Sequence, residues 1–194
     1  MRTRDKIRHL VAILAIFIPT VPLLFPQTQI GDRVAGYRLA DSGGRMHTLD
    51  EYAGRIVVLE FWSFKCPVAL TYNERMKALQ ARYEGRGVVL LAVDSNRNES
   101  ALEVRRNVEN LKLPFPVLLD PDGTLADRVR ATLTPSAVIL DGTGTLRYRG
   151  AIDNARAEGD PGRIAFVEEA LDALLAGKPV PRAETPVSGC AIRR

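Results

Sequence analysis

The residues in this chain that could do chemistry centre on sulfur. Two cysteines, Cys66 and Cys190, occur among 194 residues. Cys66 sits in the stretch EFWSFKCPVA, residues 60–69, with Phe61 and Trp62 before it and Pro67 directly after it. A proline suits the first turn of a helix, and the residues before this stretch read as a buried strand, so Cys66 falls at a strand-to-helix junction. Unpaired N–H groups and the helix dipole favour a thiolate at such a place. Lys65 adds a neighbouring positive charge. A thiolate there is a nucleophile toward a disulfide or a peroxide. The plainer alternative is a buried structural cysteine; the strand-turn-helix setting favours the reactive one.

The neighbours of Cys66 each carry two readings. Glu60 lies in an apolar run, where burial would raise its pKa and suit it to passing a proton to or from Cys66. Alternatively it is a sheet-edge carboxylate paired with an arginine. Ser63 could bond the thiolate or a bound oxygen, or cap the following helix. Trp62 and Phe61 are pocket-wall or core residues. Cys190 stands 13 residues beyond Gly177. An extended chain of that length reaches about 40 Å, against a radius of gyration of about 15 Å for a domain of this size. Cys190 can therefore reach Cys66, in the same chain or in a neighbour, as a resolving partner; the alternative is a free tail thiol.

The elements that must position these groups alternate. GYRLADSGGRMHTLDEYAGR reads as two short strands about a Gly-Gly turn and a brief helical turn. RIVVLEFW is a β-branched, buried central strand. The helix from Pro67 places Ala69, Tyr72, Met76, Leu79 and Tyr83 on one face and stops at EGRG. VVLLAVD is a second buried strand, and SNRNESALEVRRNVENL a polar loop leading into a helix. FPVLLD is a short strand and PDGTLADRVRA a turn and short helix. TPSAVILDGTGTLRYRG gives two strands about a tight turn. RIAFVEEALDALLAG is a last helix with Ile164, Val167, Leu171 and Leu174 inward and Gly177 as its stop. The expected fold is α/β, a central mixed sheet flanked by helices with antiparallel edge strands. It occupies residues 30–177, and a Pro-rich tail over 178–194 carries Cys190, mobile or ordered on contact.

The net charge of +4 sits at the ends: residues 1–9 carry +3 and residues 177–194 carry +3, which leaves the middle at −2. The core thus has no basic footprint, and nucleic-acid binding is not expected. Residues 1–29 read as a leader, with a basic start followed by a 16-residue apolar run over 10–25. That is the layout of an export signal. With no small-residue cleavage site after it, an uncleaved membrane anchor is favoured over a cleaved signal. The basic residues would stay cytoplasmic, and the domain would lie on the extracytoplasmic, periplasmic side, where disulfides persist. His47, on an early strand, reads as a solvated residue rather than a ligand. With no histidine near the cysteine motif, no metal or other cofactor is expected.

This layout, with a cysteine at a strand-to-helix turn and Thr-Pro before a late hairpin, resembles the thioredoxin-fold superfamily. Within it the chain is similar to the redoxin group, which holds membrane-anchored thioredoxin-like proteins and the peroxiredoxins of the alkyl hydroperoxide reductase/thiol-specific antioxidant family. Residues 60–67, Thr134-Pro135, and GDRVAGYRL with TLDEYAGR carry the likeness. Trp62 and Cys66 keep the thioredoxin spacing, but Ala69 stands where the second cysteine belongs, so C-x-x-C chemistry is excluded. Glu60 takes the place of the buried thioredoxin carboxylate. The resemblance implies a cis bond at Thr134-Pro135, with Thr134 free to pair with an extended substrate; the alternative is an ordinary strand-start proline. It also makes Trp62, Pro67, Thr134 and Pro135 the substrate-contacting set. Ser63 and Cys66 fit the peroxiredoxin pattern P-x-x-x-[T/S]-x-x-C, whereas Leu59 replaces its proline. Pro135 replaces its peroxide-polarising arginine, for which Arg130 or Arg147 could substitute in space. Some peroxiredoxins carry a resolving cysteine in a C-terminal tail, as Cys190 would be.

The resemblance implies an extracytoplasmic thiol oxidoreductase with a single active-site cysteine, Cys66. Its catalytic set would be Cys66, Cys190, Glu60 and Ser63, and its partners protein thiols or disulfides, an external thiol reductant, and the membrane through the N-terminal helix. The alternatives are a peroxidase acting on hydroperoxides and, because of Ala69, a redox-silent binding module.

Overall fold

The structure, a computed structural model, describes residues 27–155 and 159–194. The expected anchor's basic start and apolar run lie outside these residues. No helix among the described residues is long and apolar enough to cross a membrane.

The chain opens with a small hairpin of β1 (Arg38–Ala40) and β2 (Met46–Thr48), followed by a 3-10 turn at Leu49–Tyr52. Next come β3 (Ile56–Phe61), α1 (Pro67–Tyr83), β4 (Val88–Asp94) and α2 (Ala101–Leu111). Then follow β5 (Val117–Leu119), α3 (Thr124–Val129), β6 (Leu133–Thr134), β7 (Ser136–Leu140), β8 (Leu146–Gly150), α4 (Phe166–Leu175) and β9 (Cys190–Ala191). Five strands form the central sheet in the order β5-β4-β3-β7-β8. β3, β4 and β5 run parallel, whereas β7 and β8 run antiparallel. Only β8 of the late hairpin lies at the edge; β7 is interior, hydrogen-bonded to β3, so that pair is not wholly an edge feature as expected.

β3 is central because both its faces bury apolar side chains, and the two-residue period of a strand sorts them. Val57, Leu59 and Phe61 join one core with Leu125, Val129 and the N-terminal Val34, Tyr37 and Tyr52. Val58 and Trp62 join the other, beneath Met76, Leu79 and Tyr83 of α1 and Val167 and Leu171 of α4. The α1 face is nearly as expected, except that Tyr72 is half-buried and Asn73 is buried instead.

Besides the β1–β2 hairpin, two short strands lie outside the main sheet among the described residues. β6 is cut off from β7 by Pro135, and the Thr134-Pro135 bond is cis. β9, near the C-terminus, pairs with β6. The tail is thus ordered on contact, and it docks a second time upstream: Arg149 of β8 donates its N–H to Ala183 O at 2.9 Å and accepts from Thr185 N at 3.2 Å. Gly150 permits this crossing, since a Cβ there would stand 2.2 Å from Thr185 Oγ1. His47 is not solvated: it is fully buried, with Nε2 2.8 Å from Asp41 Oδ2 and Nδ1 against the Tyr52 hydroxyl. With one partner in the hairpin and the other in the 3-10 turn, it is a structural bridge between them.

Candidate active site

Strand β3 ends at Phe61, and α1 begins six residues later at Pro67. Cys66 is the helix N-cap: its extended backbone points Sγ at the first turn, where it accepts the Ala69 N–H at 3.4 Å. Because α1 runs for 17 residues, the sulfur faces the positive end of a full helix dipole. Cys66 is 1% exposed.

The turn before it is held by side chains. Trp62 is buried and its indole N–H donates to Asn73 Oδ1 at 3.0 Å, tying the turn to α1. The Ser63 hydroxyl donates to the buried Glu99 and accepts the Lys65 N–H at 3.1 Å. Glu99 also takes the Phe64 N–H at 3.2 Å. The cap of α1 is therefore Cys66 rather than Ser63, and the Ser63 hydroxyl serves the turn. The Lys65 ammonium is engaged by Asn98 O and stands 3.8 Å from Glu103. Beneath the turn, Asp94 is buried; desolvation and the neighbouring Glu99 carboxylate hold it well above the usual carboxylate range.

Glu60 is not at a sheet edge. It lies in the central strand between Ala92 of β4 and Ala137 of β7, with both carboxylate oxygens buried and without a hydrogen-bond partner. Desolvation pushes its pKa up to about 8. By strand alternation it shares the face of Val58 and Trp62, the face covered by α1.

The cis-Pro135 loop meets Cys66 from the other side, and the Thr134 carbonyl oxygen stands 3.3 Å from its Sγ. Opposite Thr134 in antiparallel register is Cys190. Cys66 and Cys190 form a disulfide across 124 residues of chain, with Cα atoms 5.9 Å apart. The chain thus offers two sulfurs at this site, and of the two sources left open for the second, the same chain or a neighbour, it is the tail of the same molecule. Gly189 admits the tail, because a Cβ there would lie 2.1 Å from Thr134 O. Beyond the cysteine, Ile192 buries its side chain and donates its N–H to Thr132 O at 2.9 Å.

Neither proposed substitute for a peroxide-polarising arginine joins this group. Arg130 bonds Gln29 at 3.2 Å, and Arg147 pairs with Asp141 at 2.6 Å. Among the described residues no group of three His, Cys, Asp or Glu is placed to hold a metal ion. Sequence reasoning missed Asn73, Glu99 and Gly189. SNRNES read only as a polar loop, and the glycine beside Cys190 was the sole local sign of a close crossing.

Comparison with known proteins agrees with this fold. The chain is 29% identical over 116 residues to the thiol-disulfide oxidoreductase ResA of Halalkalibacterium halodurans, a match covering 60% of this chain and 65% of that relative. A hypothetical protein from Sinorhizobium meliloti 1021 has a solved structure that superimposes with a TM-score of 0.77 at 29% identity, covering 87% of this chain and 96% of that one. A putative thiol:disulfide interchange protein DsbE from Chlorobium tepidum shares the thioredoxin-like fold, with a TM-score of 0.58 at 21% identity over 63% of this chain and 85% of that one. Residues 30–149, more than half of the sequence, match the AhpC/TSA family pattern, and the chain belongs to that family.

Proposed function

We propose that this protein is a thiol-disulfide oxidoreductase whose redox couple is Cys66 and Cys190 of one chain. The observation that carries the reading is the bond between them at the N-terminus of α1, beside the cis-proline. In the reduced protein the Cys66 thiolate attacks a substrate disulfide; one substrate thiolate leaves, and a Cys66–substrate disulfide forms. The Cys190 thiolate then attacks Cys66 Sγ and releases the second substrate thiolate. Two electrons pass to the substrate, and the closed Cys66–Cys190 bond is reopened by two electrons from an external thiol reductant. The Ala69 N–H and the helix dipole support the thiolate form of Cys66. Glu60, still protonated near neutral pH, can supply or take up a proton on that face of the sheet.

Peroxide reduction is the second reading, favoured by the family and by Ser63. The engagement of Arg130 and Arg147 elsewhere weighs against it, because charge on a breaking O–O bond lacks those stabilising partners. The basic leader with its apolar run, together with a disulfide couple, supports an anchored extracytoplasmic location.

Trapping tests the reading. Reduced Cys190→Ser protein, mixed with a disulfide-bonded protein, should accumulate a mixed disulfide on Cys66 that peptide mapping identifies; Cys66→Ser protein should form none. Rapid hydrogen-peroxide consumption without any disulfide exchange would instead establish the peroxidase.

A further inference from the structure

The loop between β4 and α2 touches both cysteine-bearing segments. At one end, Glu99 holds the Cys66 turn through the Ser63 hydroxyl and the Phe64 N–H, and Asn98 O takes the Lys65 ammonium. At the other, Asn96 Oδ1 accepts the Arg193 N–H at 2.9 Å, and the Arg97 N–H donates to Arg193 O at 3.0 Å. Asn96 is 4% exposed. Its amide is oriented from behind: Asp94 Oδ1 accepts both the Asn96 backbone N–H at 2.9 Å and Nδ2 at 3.0 Å, which leaves Oδ1 aimed at the tail. Glu99 N–H donates to Asn96 O at 3.1 Å, so the two grips belong to one folded turn.

We propose that this loop keeps Cys190 beside Cys66 when the disulfide is open, and that Asn96 is a positioning residue for closure of the bond. This rests on the reading of Cys66 and Cys190 as one redox couple. Without the disulfide the Cys190 segment depends on non-covalent anchors. The downstream anchors are the pairing of β9 with β6, the burial of Ile192, the two bonds at Arg193, and Arg194, which donates to Ala131 O and pairs with Asp127. Of the Arg193 and Arg194 bonds, that to Asn96 ends on a buried side chain with a fixed orientation. Such a bond holds the Cys190 thiolate at a raised local concentration near Cys66 Sγ, as any preorganised intramolecular reactant is held.

Equilibration with glutathione reads this directly. Oxidised glutathione takes two electrons from the dithiol: Cys66 attacks one of its sulfurs and releases one glutathione thiolate, then Cys190 attacks Cys66 Sγ and releases the other. The constant for the whole exchange is the effective concentration of the two cysteines. In the full chain, Asn96→Ala should lower it about tenfold, the loss of one well-placed hydrogen bond. Arg193→Pro removes the same N–H from the exposed tail side, leaves the loop intact, and should give a like decrease; it carries the test where Asn96→Ala fails to fold. In both variants alkylation of Cys66 by iodoacetamide should keep its wild-type pH midpoint, which a general loosening of the turn would not. An unchanged constant in Arg193→Pro overturns the proposal. A wild-type chain that never closes Cys66 onto Cys190 against glutathione overturns the underlying functional reading instead.

Discussion

Thr134 and Cys190 face each other in antiparallel register, and the Thr134 carbonyl oxygen lies 3.3 Å from the sulfur that Cys190 is bonded to. A strand edge can be paired only once. In the oxidised protein the tail therefore occupies the Thr134 edge, the backbone that the family resemblance assigns to an extended substrate.

Gly189 sets how closely that strand can lie. A Cβ at this position would sit 2.1 Å from Thr134 O, a backbone atom that cannot swing aside. Gly189→Val should force β9 away from β6 and weaken tail docking by about 1–3 kcal/mol, the usual cost of overpacking. The disulfide should then close less readily, and glutathione equilibration should show a fall in effective concentration of about 5- to 150-fold. A wild-type constant in the variant would mean that the tail reaches Cys66 by another path.

The disulfide should also contribute to stability. It closes a loop with a sequence separation of 124 residues, and restricting so long a loop in the unfolded chain stabilises the folded state by about 2–5 kcal/mol. Urea unfolding of the oxidised protein, followed with and without reductant, should show a drop of that order on reduction. Cys190→Ser should behave like the reduced wild type and be insensitive to reductant.

Much of this was legible in the sequence, and what was not has a physical reason. The strand-turn-helix around Cys66 could be read because β-branched runs, a helix-start proline and helical periodicity are local signals. The cis bond at Thr134-Pro135 came through the family resemblance. Ala69 shows that no local partner sulfur exists, which leaves Cys190 as the only other cysteine in the sequence. Reach alone showed that Cys190 could arrive but not that it does, because docking depends on Thr134, Asn96 and Thr185, each distant in sequence. The burial of His47 is not legible for a different reason: its partners Asp41 and Tyr52 are only six and five residues away, but they meet it only after the hairpin folds.

Ser63 separates a supporting role from a chemical one. Its hydroxyl donates to Glu99 and accepts from Lys65 N. Ser63→Ala leaves the buried Glu99 short of a donor and should cost about 1–3 kcal/mol of stability. If the hydroxyl serves only the turn, the pH midpoint of Cys66 alkylation in the reduced protein stays where it is. A rise of one unit or more would show that it also bonds the thiolate.

Glu60 gives the clearest pH dependence. In the unfolded chain its carboxyl ionises near 4.5, whereas in the fold desolvation holds it protonated up to about 8. Below pH 4.5 both states bear the proton and Glu60 adds no pH dependence. As pH rises from there, the unfolded state alone releases the proton, so folding loses stability at about 1.4 kcal/mol per unit until the folded group also ionises. The cost levels off above about pH 8, where both states are ionised. Asp94, also raised, adds a similar slope, so the informative quantity is the difference between wild type and Glu60→Gln, which lacks the titrating group. Urea unfolding at pH 5 and pH 9 should show the variant gaining on the wild type by several kcal/mol at the higher pH. A difference that stays constant across that range would mean that the Glu60 carboxyl ionises normally in the fold. It would then be unavailable as the neutral-pH proton reservoir for Cys66.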